Sequence, residues 1–180
     1  MKLLLNRTGS PLGELLLVTD EQGSVRALDF DDHRFRVHRV LTKRYGEHEL
    51  LDAPSPSAVE TRLRRYFAGD LAALTDVHVN TDGNELQREV WAALRAIPAG
   101  KVTTYGALAR DLGYTDPRMA MEIGAVIGAN PIAIVVPCHR VIGADGDLKG
   151  YAWGLHRKRW LLQHEGATIQ REAAQAPLEF

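Results

Sequence analysis

Residues 132–136 read Ile-Ala-Ile-Val-Val, an apolar run with no polar position in it. Such a run offers no face to water, so it predicts a strand buried on both sides, and a chain able to enclose a sizeable core. Asn130 and Pro131 precede it, and because the residue before proline is pushed out of the helical region, any helix upstream ends there. The run delivers Pro137 and Cys138 to its end. Cys138 is the only cysteine among 180 residues, which excludes an intramolecular disulfide and any disulfide-stapled scaffold. It fits a reducing compartment.

The rest of the chain supplies the elements that would cover this run. Leu15 to Thr19 and Ser24 to Phe30 are strand-like and flank the turn residues Asp20, Gln22 and Gly23, a hairpin signal. Residues 31–45 mix basic side chains with Phe35, Val37, Val40 and Leu41 at partly helical spacing; a helix and an irregular segment are both open, and the basic run reads as a solvated face. Ser57 can cap a helix carrying Val59, Leu63 and Phe67, with Gly69 at its end. Asn84 and Gln87 resemble a capping box ahead of Leu86, Val90, Leu94 and Ile97. Thr104 can cap a further helix that stops at Gly113, and Asp116 with Pro117 opens the next, so the pair reads as a helix-turn-helix. At about 100° per residue, Ala120, Ile123, Gly124 and Ile127 fall on the buried side of that second helix, with Arg118, Glu122 and Ala125 opposite and Met121 on the flank.

These readings give an α+β chain. A small amino-terminal α/β domain with an antiparallel sheet is expected over 1–80, and a mostly helical domain containing the helix-turn-helix over 81–168. The residues 169–180 read as a flexible tail. The start, MKLLLNRTGSPLGELLLV, has only a short apolar run, and no segment approaches the roughly 18 apolar residues of a membrane span. The expectation is a cytoplasmic, soluble chain.

A lone buried cysteine is by default a small hydrophobe. A thiol that follows a proline where a buried run stops, beside His139 and Arg140, lies next to cations that can favour the thiolate, which makes it a candidate nucleophile. Neighbours in extended chain point to opposite sides, so His139 need not touch Cys138, and Glu165 is a carboxylate that could orient the imidazole.

Pro137-Cys138-His139-Arg140-Val141, with Asn130-Pro131 before it and Gly150-Tyr151 and Leu161-Leu162-Gln163-His164-Glu165-Gly166 after it, resembles the O6-alkylguanine-DNA alkyltransferase family. Val90-Trp91, Ile97-Pro98-Ala99-Gly100-Lys101-Val102, Thr104-Tyr105, Ser10-Pro11-Leu12-Gly13-Glu14-Leu15 and Tyr66-Phe67-Ala68-Gly69 extend the resemblance over about residues 8–167. It implies single-use repair: helix-turn-helix binding to duplex DNA in the minor groove, flipping of an O6-alkylguanine, and transfer of the alkyl group to Cys138, O4-alkylthymine being a further candidate substrate. By the same match His139 draws off the thiol proton through a bridging water, Glu165 holds the imidazole, Tyr105 donates to the guanine ring, and Asn130 is a hinge. Arg140 takes a structural or field role. Contact with DNA is implied for Arg118, Met121, Ala120, Thr104 and Gly124, although the angular count turns Ala120 and Gly124 toward the buried side. Tyr151, Ala152, Trp153 and Val141 are expected around the base. No cofactor is implied, no metal-ligand set is recognisable, and the protein is expected to be a monomer.

The chain departs from the family pattern where an arginine on the recognition helix normally enters the duplex. Counting back from Asn130-Pro131 puts Met121 there, able to wedge between base steps but not to hydrogen-bond an orphaned cytosine, with Arg118 left to hold phosphate. Glu122 adds repulsion near phosphates. Two rivals follow: a sensor that binds alkylated bases with little or no transfer, and a cysteine hydrolase, which would turn over. Charge alone does not choose between them. The formal net charge is -1, with 11 Lys+Arg against 12 Asp+Glu in residues 1–80 and 10 against 8 in residues 84–166, so any affinity for a polyanion must be local.

Overall fold

The computed structural model describes residues 1–169, so all but the first residue of the expected tail, 169–180, lies outside the described residues. Four strands, β1 (Lys2–Ser10), β2 (Gly13–Asp20), β3 (Val25–Phe30) and β4 (Glu49–Asp52), form one sheet in the order β3-β2-β1-β4. The hairpin expected at 15–30 is β2–β3, antiparallel, with an irregularity between Val18 and Thr19. β1 and β4 were not expected. β1 pairs antiparallel with β2, but β4 lies parallel to β1, so the sheet is mixed at that edge.

Leu15, Leu16, Leu17 and Val18 are all buried because both faces of the sheet are covered. Leu16 and Val18 face Val37 and Leu41 of α1 (Arg34–Tyr45), which settles residues 31–45 as largely helical. Leu15 and Leu17 face the other way, into a core that continues without a break into the second half of the chain. α2 (Ala58–Phe67) packs on that side, and its start is the expected Ser57 cap, reinforced by a reciprocal bond with Glu60. α3 (Glu85–Ala96) likewise begins at an Asn84–Gln87 capping box.

Next come β5 (Thr103–Thr104), α4 (Tyr105–Asp111) and α5 (Arg118–Gly128), then β6 (Val141–Ile142) parallel to β5, and α6 (Leu155–His164). Thr104 caps α4 by accepting from Ala107 N–H at 3.1 Å. On α5, Ile123, Val126 and Ile127 are buried while Ala120 and Gly124 are only half-buried, so the buried face is rotated from the expected one toward Val126. The cause is α3, whose Trp91 donates its indole N–H to the Val126 carbonyl at 3.1 Å.

Residues 132–136 are fully buried but are not a strand. Apart from one bridge between Ile132 and Leu28 of β3, they turn back on themselves, with Val135 N–H on the Ala133 carbonyl (2.6 Å) and Val136 N–H on that of Ile132 (3.1 Å). Ile134 sits at φ 67, a region that costs a β-branched residue about 1–3 kcal/mol. The apolar composition reports burial, and local turns satisfy the backbone in place of a sheet.

Candidate active site

Cys138, His139 and Arg140 share a 3-10 turn rather than extended chain, and all three are buried. The turn splays them apart. Cys138 forms part of a cavity of about 150 Å3, together with Tyr105 of α4, Gly124, Ile127 and Gly128 of α5, and Gly150, Tyr151 and Ala152 of the loop before α6. Its thiol receives an N–H from Asn130 Nδ2 at 3.2 Å, and the same nitrogen donates to the Val136 carbonyl at 2.8 Å. Asn130 Oδ1 accepts from Ile132 N–H at 2.9 Å, so one buried amide ties the end of α5 to the turned segment and to the sulfur.

The cations beside Cys138 in sequence do not favour its thiolate in the way their adjacency predicts. Burial pushes the Cys138 thiol up, the Asn130 hydrogen bond and the Lys158 and Arg36 charges acting against it. His139 and Arg140 are committed elsewhere. His139 Nε2 lies 2.8 Å from Glu165 Oε1, and Arg140 reaches the same carboxylate through Nε (2.9 Å to Oε2) and Nη2 (2.8 Å to Oε1). Tyr66 of α2 donates its hydroxyl to Glu165 Oε1 at 2.7 Å. Burial alone would raise the Glu165 carboxyl, but the bonds from His139 and Arg140 outweigh it and hold the group well below the usual carboxylate range. An ionised carboxylate only accepts, so His139 Nε2 carries the proton and Nδ1 keeps the lone pair. Burial also pushes the imidazole pKa down, with Glu165 opposing, which keeps it neutral. Nδ1 is buried and has no hydrogen-bond partner among the described residues. A neutral imidazole with a free acceptor nitrogen is the form a general base requires.

Gly100 completes this cluster. At φ 79 its backbone passes so close to Glu165 that an added Cβ would stand 2.8 Å from the Glu165 carbonyl oxygen, and its N–H lies 3.5 Å from Oε2. Lys158, wholly buried in α6, donates to the carbonyls of Val141 (2.7 Å), Leu148 (2.5 Å) and Gly150 (3.1 Å), fixing the loop that brings Tyr151 and Ala152 to the cavity. Burial pushes its ammonium down to about 8, the nearby Cys138 acting in the other direction.

Two residues expected around the base are not at the cavity. Val141 pairs with Thr103, its side chain wholly buried in the core. Trp153 is also wholly buried, donates its indole N–H to the Asp29 carboxylate and stands edge-on behind Tyr151, ring centroids 5.0 Å apart. Its polar edge finds a partner in the amino-terminal half, which draws it inward. Of the residues expected to face DNA, Met121 is 82% exposed and Arg118 is exposed but paired with Asp116 at 3.0 Å. Thr104 is half-buried at its cap, and Gly124 lines the cavity instead of the outer surface.

Tyr66 is the site residue that sequence reasoning passed over. Its spacing from Val59 and Leu63, i+7 and i+3, was a signal of burial that went to Phe67 instead. Among the described residues no group of three or more His, Cys, Asp or Glu could hold a metal ion, and no helix is long and apolar enough to cross a membrane.

Comparison with known proteins gives the class first. Residues 6–81 match the ribonuclease-like domain of 6-O-methylguanine DNA methyltransferase and residues 85–167 match its DNA binding domain. The chain is 48% identical over 171 residues to the methylated-DNA--protein-cysteine methyltransferase of Salmonella typhimurium, covering 94% of this chain and 99% of that one. It is 39% identical over 158 residues to the protein of that name from Methanosarcina acetivorans, covering 88% and 95%. Among solved structures, Mycobacterium tuberculosis OGT in complex with DNA superposes with a TM-score of 0.75 at 36% identity, covering 92% of this chain and 93% of that one. The chain belongs to the 6-O-methylguanine DNA methyltransferase family.

Proposed function

We propose that this protein repairs alkylated duplex DNA by taking the alkyl group of O6-alkylguanine onto Cys138 in a single irreversible step that uses no cofactor. The observation that carries this reading is a thiol held by Asn130 inside a cavity walled by Tyr105, Tyr151 and Ala152, one turn residue away from a neutral imidazole backed by Glu165. The cavity lies within a chain whose second half matches a DNA binding domain. The base must leave the stack to reach the sulfur, which the α4–α5 helix-turn-helix would achieve from the minor groove, with Met121 as the wedge and Arg118 on phosphate. In the reaction the S–C bond forms as the C–O6 bond breaks, and the thiol proton passes through His139 to end on the departing guanine. Tyr105, whose hydroxyl is held protonated chiefly by burial and then by Cys138, serves as a donor to the ring.

Retention of Cys138 and of the His139–Glu165 pair favours transfer over sensing. The protein acts as a monomer in the cytoplasm, with 1–80 and 81–168 as its two domains. Incubating it with a duplex containing O6-methylguanine should add one methyl group to the Cys138 peptide, read by mass spectrometry, with one equivalent of DNA repaired per protein. An unmodified peptide after prolonged incubation overturns the reading, and repeated turnover assigns the site to a hydrolase.

A further inference from the structure

The basic run that reads as a solvated face in sequence has a defined position in the fold. α1 carries five Lys and Arg among its 12 residues and no carboxylate. Arg36, Arg39, Lys43 and Arg44 fall at i, i+3, i+7 and i+8, a single stripe of the helix. They line a cavity of about 440 Å3 between α1 and the end of α5, together with Gly128 and Asp82. Like charges at i and i+4, as at Arg39 and Lys43, repel unless an anion lies between them. The protein supplies little: Asp82 is engaged by Arg26 at 2.5 Å, and Arg36 is held by Asp29 at 2.8 Å. Arg39, Lys43 and Arg44 have no carboxylate within ion-pair distance among the described residues. Arg44 lies over the Trp91 ring at 4.8 Å, with Nη1 buried and without a hydrogen-bond partner.

Gly128 borders both this cavity and the one that holds Cys138. A duplex lying along the exposed side of α5 therefore meets α1 where that helix ends. We infer that the cationic stripe of α1 is a second DNA-contacting surface, in which Arg39, Lys43 and Arg44 take phosphodiesters flanking the nucleotide presented to Cys138. This inference rests on the function proposed above and extends it to the amino-terminal half. Arg39 and Lys43 are exposed along an open groove, with Arg44 half-buried beside them, an arrangement that suits an extended polyanion and offsets Glu122 on α5, which is exposed and repels phosphate.

The test compares the wild-type chain with Arg39→Gln/Lys43→Gln, and with Arg64→Gln/Arg65→Gln on α2 as a charge-matched control. Affinity for a duplex containing O6-methylguanine is measured against salt concentration, and transfer to Cys138 is measured separately from the free O6-methylguanine base. Each phosphate contact contributes about 0.9 to the slope of log affinity against log salt, so losing two lowers it by about 1.8. Between 50 and 200 mM salt the wild-type chain should then lose about tenfold more affinity than the α1 variant. The control should keep the wild-type slope, and transfer from the free base should be equal in all three. An unchanged slope in the α1 variant overturns the inference, and so does binding of inorganic phosphate to the stripe with the DNA slope unaltered. Failure of the wild-type chain to accept methyl from either substrate would instead count against the proposed function, while the slopes still decide the role of α1.

Discussion

The two sides of the Cys138–Arg140 turn differ in how they treat charge. On one side the thiol is neutral at rest, pushed up by burial, with one hydrogen bond from Asn130 and an opening toward the cavity. On the other, Glu165 is ionised and its oxygens accept from His139, Arg140 and Tyr66. The difference teaches that adjacency in sequence is a poor guide to electrostatic influence. The turn commits His139 and Arg140 to Glu165 and leaves the sulfur with the Asn130 amide as its side-chain donor. A buried charge is tolerable only where its partners are complete, and Arg140 is complete on the carboxylate side.

Removing the carboxylate should have the largest effect. Glu165→Gln leaves the Arg140 guanidinium buried without its counter-charge and should lower stability by about 3–5 kcal/mol in urea unfolding at pH 7. Because the folded Glu165 pKa lies below the ordinary value of about 4.3, its contribution is complete above that pH and is lost as pH falls toward the folded value. The variant should therefore show a flatter acid limb than the wild-type chain. Equal stability at pH 7 would mean that the two sides of the turn are not distinguished by charge.

On the thiol side, Asn130→Ala removes the donor to Sγ. A hydrogen bond to a charged acceptor contributes about 1.5–3 kcal/mol, so the thiolate becomes harder to form and transfer from the free base at neutral pH should fall about ten- to a hundredfold. The pH profile of the rate should move to higher pH. A profile in the wild-type position would take Asn130 out of thiol control. The smallest effect is expected for Tyr66→Phe, which deletes one of several donors to the ionised Glu165 at a net cost of about 1.5 kcal/mol, the low end for a charged acceptor because His139 and Arg140 remain. Relieved of that donor, Glu165 is a stronger partner for His139, so the imidazole pKa should rise in an NMR titration while the fold persists. A downward shift or none would break the link between α2 and the imidazole.

Local signals were the legible ones. The caps at Ser57, Asn84 and Thr104 are written within three residues of each helix start, and the structure has all of them. β4 depends on a parallel pairing with β1, Lys2 opposite Glu49 and so 47 residues apart, which no short window of sequence contains, whereas β1 closes a local hairpin with β2 at Ser10 and Gly13. The run at 132–136 announced burial but not conformation, since apolarity is the same in a strand and in a buried turn. At the site, the spacing around Cys138 pointed to the thiol, the imidazole and Glu165, and the structure brings the latter two together at 2.8 Å. Tyr66 stayed hidden because it meets Glu165 from 99 residues away. Trp153 was drawn toward the base by its place in the loop, whereas its indole is claimed by Asp29 in the other half.

The convergence on Glu165 has a consequence for when the protein becomes reactive. Its two oxygens gather groups from α2, from the Cys138 turn and from the loop at Gly100, and none of these is near another in the chain. A partly made or partly folded molecule carries the thiol but not the oriented imidazole, and its cysteine is as ordinary as any exposed one. Chemical competence therefore belongs to the assembled fold and not to the cysteine alone, so a protein that can be used once is armed by its own tertiary structure.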